Sequence, residues 1–155
     1  MQRQAQWVRL LAPETLLLVR FNTQLATKPL PPLEQFGLGG IKSFRGYRQD
    51  LLVIDNGAFA SAELQLPVLR VPKKNGVLQV IPFADLGLAW NILTRDNSNT
   101  DTLSTLASIG LGLHWSQSDR FNARIDWGVP LISVDFPHKT WQENRLYFYF
   151  QYNPF

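Results

Sequence analysis

Six charged residues, Arg20, Glu63, Asp85, Arg124, Asp126 and Arg145, carry most of the chemical potential of this 155-residue sequence. What they can do depends on which of them share a face. Asp85 and His114 could be drawn as an acid/base pair, since alternation places both on the polar side of successive strands. Isolated polar side chains on such a face are more often solvated or paired structurally, and no nucleophile–base–orienter constellation accompanies them. His114 and His138 have no ligand-spaced carboxylates, and the absence of cysteine removes thiolate metal sites, disulfides and thiol nucleophiles together. Neither an enzyme nor a metal or cofactor site is expected. The net charge of +3 comes from scattered Lys and Arg, with no run of like charge longer than Lys73-Lys74. A nucleic-acid binder gathers its basic residues on one face or helix, so no nucleic-acid partner is expected.

The elements that must position these charges are strands. Period-2 patterns return in segments of about ten residues. In 103–116, Leu103, Thr105, Ala107, Ile109, Leu111, Leu113 and Trp115 share one face and Ser104, Ser108, Gly110, Gly112, His114 and Ser116 the other, Leu106 being the exception. In 121–132, Phe121, Ala123, Ile125, Trp127, Val129 and Leu131 oppose Asn122, Arg124, Asp126, Gly128 and Pro130. The segments 16–26, 58–67, 77–91 and 145–153 alternate likewise, placing Arg20, Glu63, Asp85 and Arg145 on polar faces, and 3–10 reads as a weaker, truncated strand. No segment reads as an amphipathic helix.

Alternation alone would suit a soluble β-barrel binding protein as well. Two features favour the outer membrane. Strands of about ten residues match the 9–11 needed to cross a bilayer, where globular ones average about five or six. The connections also alternate in length: 11–15, 68–76 and 116–119 are short, while 27–57, 91–102 and 133–143 are long. Short periplasmic turns and long outer loops are the outer-membrane pattern, which puts the C-terminus in the periplasm. Trp90, Trp115 and Trp127 on the apolar face suit an interfacial girdle. The longest apolar runs fall far short of the roughly 18 residues of a spanning helix. Six or seven strands are too few to close a barrel by themselves, so a transmembrane antiparallel β-barrel of which this chain is one part is expected.

The loop 27–57 is too long to be an ordinary connection and too apolar to be disordered, with Leu33, Phe36, Leu38, Ile41, Phe44 and Tyr47 in it. It is expected to fold into the lumen. Its segment Gly39-Gly40-Ile41-Lys42-Ser43-Phe44-Arg45-Gly46-Tyr47, preceded by Glu34-Gln35-Phe36-Gly37-Leu38 and followed by Asp55-Asn56-Gly57, resembles the haemolysin secretion/activation proteins (ShlB/FhaC/HecB type). These are the outer-membrane transporters of two-partner secretion. Phe83-Ala84-Asp85-Leu86-Gly87 is similar to that family's Phe-x-Asp-x-Gly motif on an inner-wall strand. Phe44, where the family usually has Val, is a departure that keeps an apolar residue before Arg45.

The resemblance implies a sixteen-stranded barrel, of which residues 1–155 are the carboxy-terminal six to seven strands, without the periplasmic polypeptide-transport-associated domains that precede the barrel in the family. It implies that Arg45 of the loop tip pairs with Asp85 of the inner wall, a role that suits a bidentate guanidinium–carboxylate pair. It implies a pore in the outer membrane that exports an unfolded exoprotein, with loop 27–57 as plug or latch. It also implies that the aromatic final strand, with Phe148, Phe150, Tyr152 and Phe155, is the signal read by the barrel assembly machinery. Pro154 should stop pairing near Asn153. An insertase that folds other barrels shares the loop and wall motifs and is the alternative within the same superfamily. The opening Met1-Gln2-Arg3-Gln4 lacks the apolar core of a secretory signal, and with both terminal strand edges open the chain alone is expected to make no working pore unless copies assemble.

Overall fold

Side chains that alternate in polarity can satisfy both faces of a sheet at once, and the chain takes that solution along most of its length. The computed structural model describes residues 1–39, 44–47, 52–90, 104–118, 120–132 and 146–154. The strands are β1 (Gln2–Ala12), β2 (Thr15–Gln24), β3 (Phe36–Leu38), β4 (Leu52–Ile54), β5 (Asn56–Val71), β6 (Gly76–Trp90), β7 (Ser104–Gln117), β8 (Phe121–Pro130) and β9 (Leu146–Tyr152). One antiparallel seven-stranded sheet has the order β1-β2-β5-β6-β7-β8-β9, and β3 pairs with β4 as a separate ribbon. Among the described residues β1 and β9 are the edges, each paired on one side.

The tight connections at one end of the sheet carry left-handed residues, Glu14 (φ 60°), Asn75 (φ 47°) and Ser118 (φ 48°). The expected truncated strand 3–10 is instead an eleven-residue strand paired along β2 from Gln2↔Gln24 to Ala12↔Thr15. The segment 58–67 lengthens to Asn56–Val71. A register shift between Pro67 and Leu69 lets the ladder continue past a residue that cannot donate. The connection expected at 68–76 thereby shrinks to a 3-10 turn at Pro72–Lys74. Loop 27–57 holds the β3–β4 ribbon, with Phe36 opposite Ile54. Pro130 ends β8, two residues before the expected limit. The loops 91–102 and 133–143 and the strand-end residues Asn91, Leu103 and Arg145 lie outside the described residues.

The two faces of the sheet have inverted polarity relative to a water-soluble protein. Leu86, Leu88, Ile109, Leu111, Leu113, Ile125 and Trp127 are exposed, while Ser61, Glu63, Asp85, Ser108 and Asp126 are buried on the other side. Large apolar side chains on an outer face and charges within are what lipid as the surrounding solvent requires. This is the wall of a transmembrane antiparallel β-barrel. Ala107, assigned by alternation to the apolar face, is buried, because the Tyr47 hydroxyl and the Leu131 amide both close on its backbone.

A small core lies where the inward loop meets the inner face. Phe44, Tyr47, Ile54, Phe59, Ala89 and Leu106 form it, with Phe36 packed against them. Leu106, the one break in the alternation of its strand, is an apolar contact for the loop.

Candidate functional site

Alternate residues of β6 face the loop, so Phe83, Asp85 and Gly87 point the same way in a row. Each meets a different part of the tip. Phe83 lies flat beneath the Arg45 guanidinium, whose central carbon stands 3.5 Å from the ring centroid. Asp85 takes Arg45 Nε at 3.0 Å on one oxygen and Nη2 at 2.7 Å on the other. Gly87 leaves room for Phe44: a Cβ there would fall 1.9 Å from the ring's Cζ. The Phe-x-Asp-x-Gly spacing is thus one stacking surface, one charge and one space, two residues apart.

Neighbouring strands complete the seat. Register sets Ser61 of β5 and Ser108 of β7 on either side of Asp85. Ser61 Oγ donates to Asp85 at 2.7 Å and accepts from Arg45 Nη2 at 3.1 Å. Glu63, one inward-facing position along β5, accepts from Arg45 Nη1 at 2.8 Å and from Arg20 of β2 at 2.5 Å. Its other oxygen accepts from Arg124 of β8 at 3.2 Å, and Arg124 Nε in turn bonds Asp126 at 2.9 Å. The network therefore alternates three guanidiniums with three carboxylates, and it spans β2, β5, β6 and β8.

Arg45 is only 1% exposed, as are Glu63, Asp85 and Asp126. Burial works against the charge of Arg45, but the hydrogen bonds to Asp85 and the charges of Asp85, Glu63 and Asp126 outweigh it and hold its pKa above the ordinary value. Taking one partner from such a buried set leaves an uncompensated charge, at a cost of about 3–5 kcal/mol.

The rest of the tip is fixed through backbone. Gly46 adopts φ 99° and passes so close to Gly128 of β8 that a Cβ on Gly46 would meet the Gly128 carbonyl carbon at 3.0 Å. The Tyr47 hydroxyl stands 2.8 Å from the carbonyls of Ala107 and Ile132 and accepts from the Ala107 amide at 3.3 Å, filling the place where β7 and β8 part. Tyr147 of β9 accepts from the Gly46 amide at 3.2 Å and donates to the Tyr47 carbonyl. Phe44 packs edge-on against Phe59, centroids 4.9 Å apart. At the loop's base, Asp55 accepts from the Leu30 amide at 2.9 Å and from Gln35 at 3.1 Å, while Asn56 accepts from the Ala26 amide at 2.7 Å.

Of the residues expected from sequence, Phe44, Arg45, Gly46, Tyr47, Phe83, Asp85 and Gly87 meet at this seat, joined by Arg20, Glu63, Arg124 and Asp126. Gly39 is buried in the loop with φ 126°. Gly40, Arg145 and Phe155 lie outside the described residues. Phe148, Phe150 and Tyr152 are exposed on β9, away from the seat. Asn153 donates to the Arg120 carbonyl at 2.8 Å, the last such bond before Pro154. Ser61, Phe59 and Tyr147 were not singled out from sequence; alternation gives their face but not their partners. Among the described residues no group of His, Asp and Glu could hold a metal ion.

The family model described as Omp85 superfamily domain matches residues 4–153, nearly the whole chain. No curated protein matches the sequence.

Proposed function

The chain belongs to the Omp85 superfamily, and we propose that it forms the carboxy-terminal wall and inward loop of a two-partner-secretion pore that exports an unfolded exoprotein. The superfamily resides in the outer membrane, and its members are transporters or insertases that work on substrate proteins together with assembly partners. The observation that carries the proposal is Arg45, fully buried between Asp85 and Glu63 although it sits at the tip of a loop. Charge burial of this kind fixes a plug against a wall without consuming nucleotide or metal.

On this proposal the charge cluster performs no covalent chemistry. It holds the loop in the lumen, and the partly exposed Arg20 and Arg124 offer polar contacts to a passing chain. The C-terminus lies in the periplasm, and the exposed aromatic row of β9 is the strand that the assembly machinery engages. The bonds made by Asp55 and Asn56 support the secretion branch, since they give the stretch that resembles it a part in bracing the loop's base.

Secretion and insertion are separated by adding two substrates to lipid bilayers containing the assembled pore of which the chain forms the wall. One is an unfolded soluble polypeptide and the other a denatured small outer-membrane barrel. A secretion pore shows current interrupted by the first and no faster folding of the second. Faster insertion of the barrel substrate, with a current indifferent to the polypeptide, would identify an insertase instead.

A further inference from the structure

Among the described residues, strand β9 is an edge of the wall, and its ladder with β8 holds seven residue pairs. Six of its residues are exposed, and Tyr147 alone is partly buried. The ring of Tyr147 reaches across the inner face to the loop tip. Its hydroxyl accepts from Gly46 N–H and donates to the Tyr47 carbonyl, so it satisfies two consecutive backbone groups of the tip at once. Those two groups have positions fixed by Arg45 on one side and by the Tyr47 hydroxyl between β7 and β8 on the other.

We infer that Tyr147 is a positioning residue through which the seating of the loop tip and the pairing of the edge strand β9 stabilise each other. The tip presents its amide and carbonyl in the required places only when Arg45 is seated. Tyr147 meets them only when β9 is in register, with Tyr147 opposite Asp126 and Leu146 opposite Trp127. A slip of one residue would turn Tyr147 to the outer face and break both bonds. Linkage makes the effect reciprocal: whatever loosens the tip loosens β9 by the same factor, and the converse holds. A register-sensitive bond between loop and edge makes the docked loop a reader of whether the final strand has paired correctly.

The two sides of this contact can be disturbed separately in the full chain, with amide hydrogen exchange read over 44–47, over 146–152, and over 77–88 as the internal reference. Tyr147→Phe removes the hydroxyl from the β9 side. Gly46→Ala strains the tip without touching β9. Loss of one net hydrogen bond corresponds to about a fivefold change in an opening equilibrium. Both variants should therefore raise exchange at least about fivefold over 44–47 and over 146–152 alike, with 77–88 unchanged. Exchange rising only on the mutated side, or on neither side, in either variant would overturn the inference. Because no transport is measured, that failure would leave the pore proposal standing, and failure of the pore proposal would not alter these exchange rates.

Discussion

A lysine at position 45 would keep the charge of Arg45 and lose its shape. The guanidinium makes a two-point contact with Asp85 and reaches Glu63 and Ser61 from its remaining nitrogens, while its flat face lies on Phe83. An ammonium is a point charge with no planar face and cannot serve these partners together. Arg45→Lys is therefore expected to lower unfolding stability by about 1.5–3 kcal/mol, the range for hydrogen bonds to charged groups. Urea titration followed by tryptophan fluorescence would show it, and a lysine variant as stable as the parent would mean that charge alone seats the tip. At this scale the sequence was informative about identity and silent about company. Arg45 and Asp85 could be paired because their motifs resemble a known family's. The bridging of three arginines by Glu63, and the reach of Tyr147, depend on register across strands far apart in sequence, which no local pattern encodes.

The strands were legible because period 2 recurs over many residues, and a run of ten alternating positions outweighs any single exception. Three-residue strands give no such statistics, so β3 and β4 leave no mark in the alternation of loop 27–57. Pro67 was a misleading stop signal, since a bulge absorbs a proline that a regular ladder would reject. Leu106 is the most instructive exception. Its position in β7 points to the inner face, where alternation would place a polar residue, and there it is 1% exposed within the cluster of Phe44, Tyr47 and Phe59. Leu106→Ser restores perfect alternation and should nonetheless destabilise the fold by about 2–5 kcal/mol, the cost of emptying a buried leucine site. Neutral behaviour in the same urea titration would place the Leu106 side chain in water and the loop away from β7.

For the molecule as a whole, lipid outside and a folded-in loop inside explain why apolar and charged residues have exchanged their usual places. Length, alternation and the unequal connections announced the membrane wall. The match over residues 4–153 fixes the superfamily. Arg45, bound to Asp85 and Glu63 at the centre of four strands, is the main charged link between loop and wall, and a double-mutant cycle with Asp85 tests it most directly. Unfolding free energies of the parent, Arg45→Ala, Asp85→Ala and the double variant would be compared in the same lipid or detergent. The account predicts that each single change costs about 3–5 kcal/mol, because it strands a buried charge. It also predicts that the double variant costs less than the sum by about 1–3 kcal/mol. Additive losses, or single variants as stable as the parent, would show that Arg45 and Asp85 do not hold the loop to the wall.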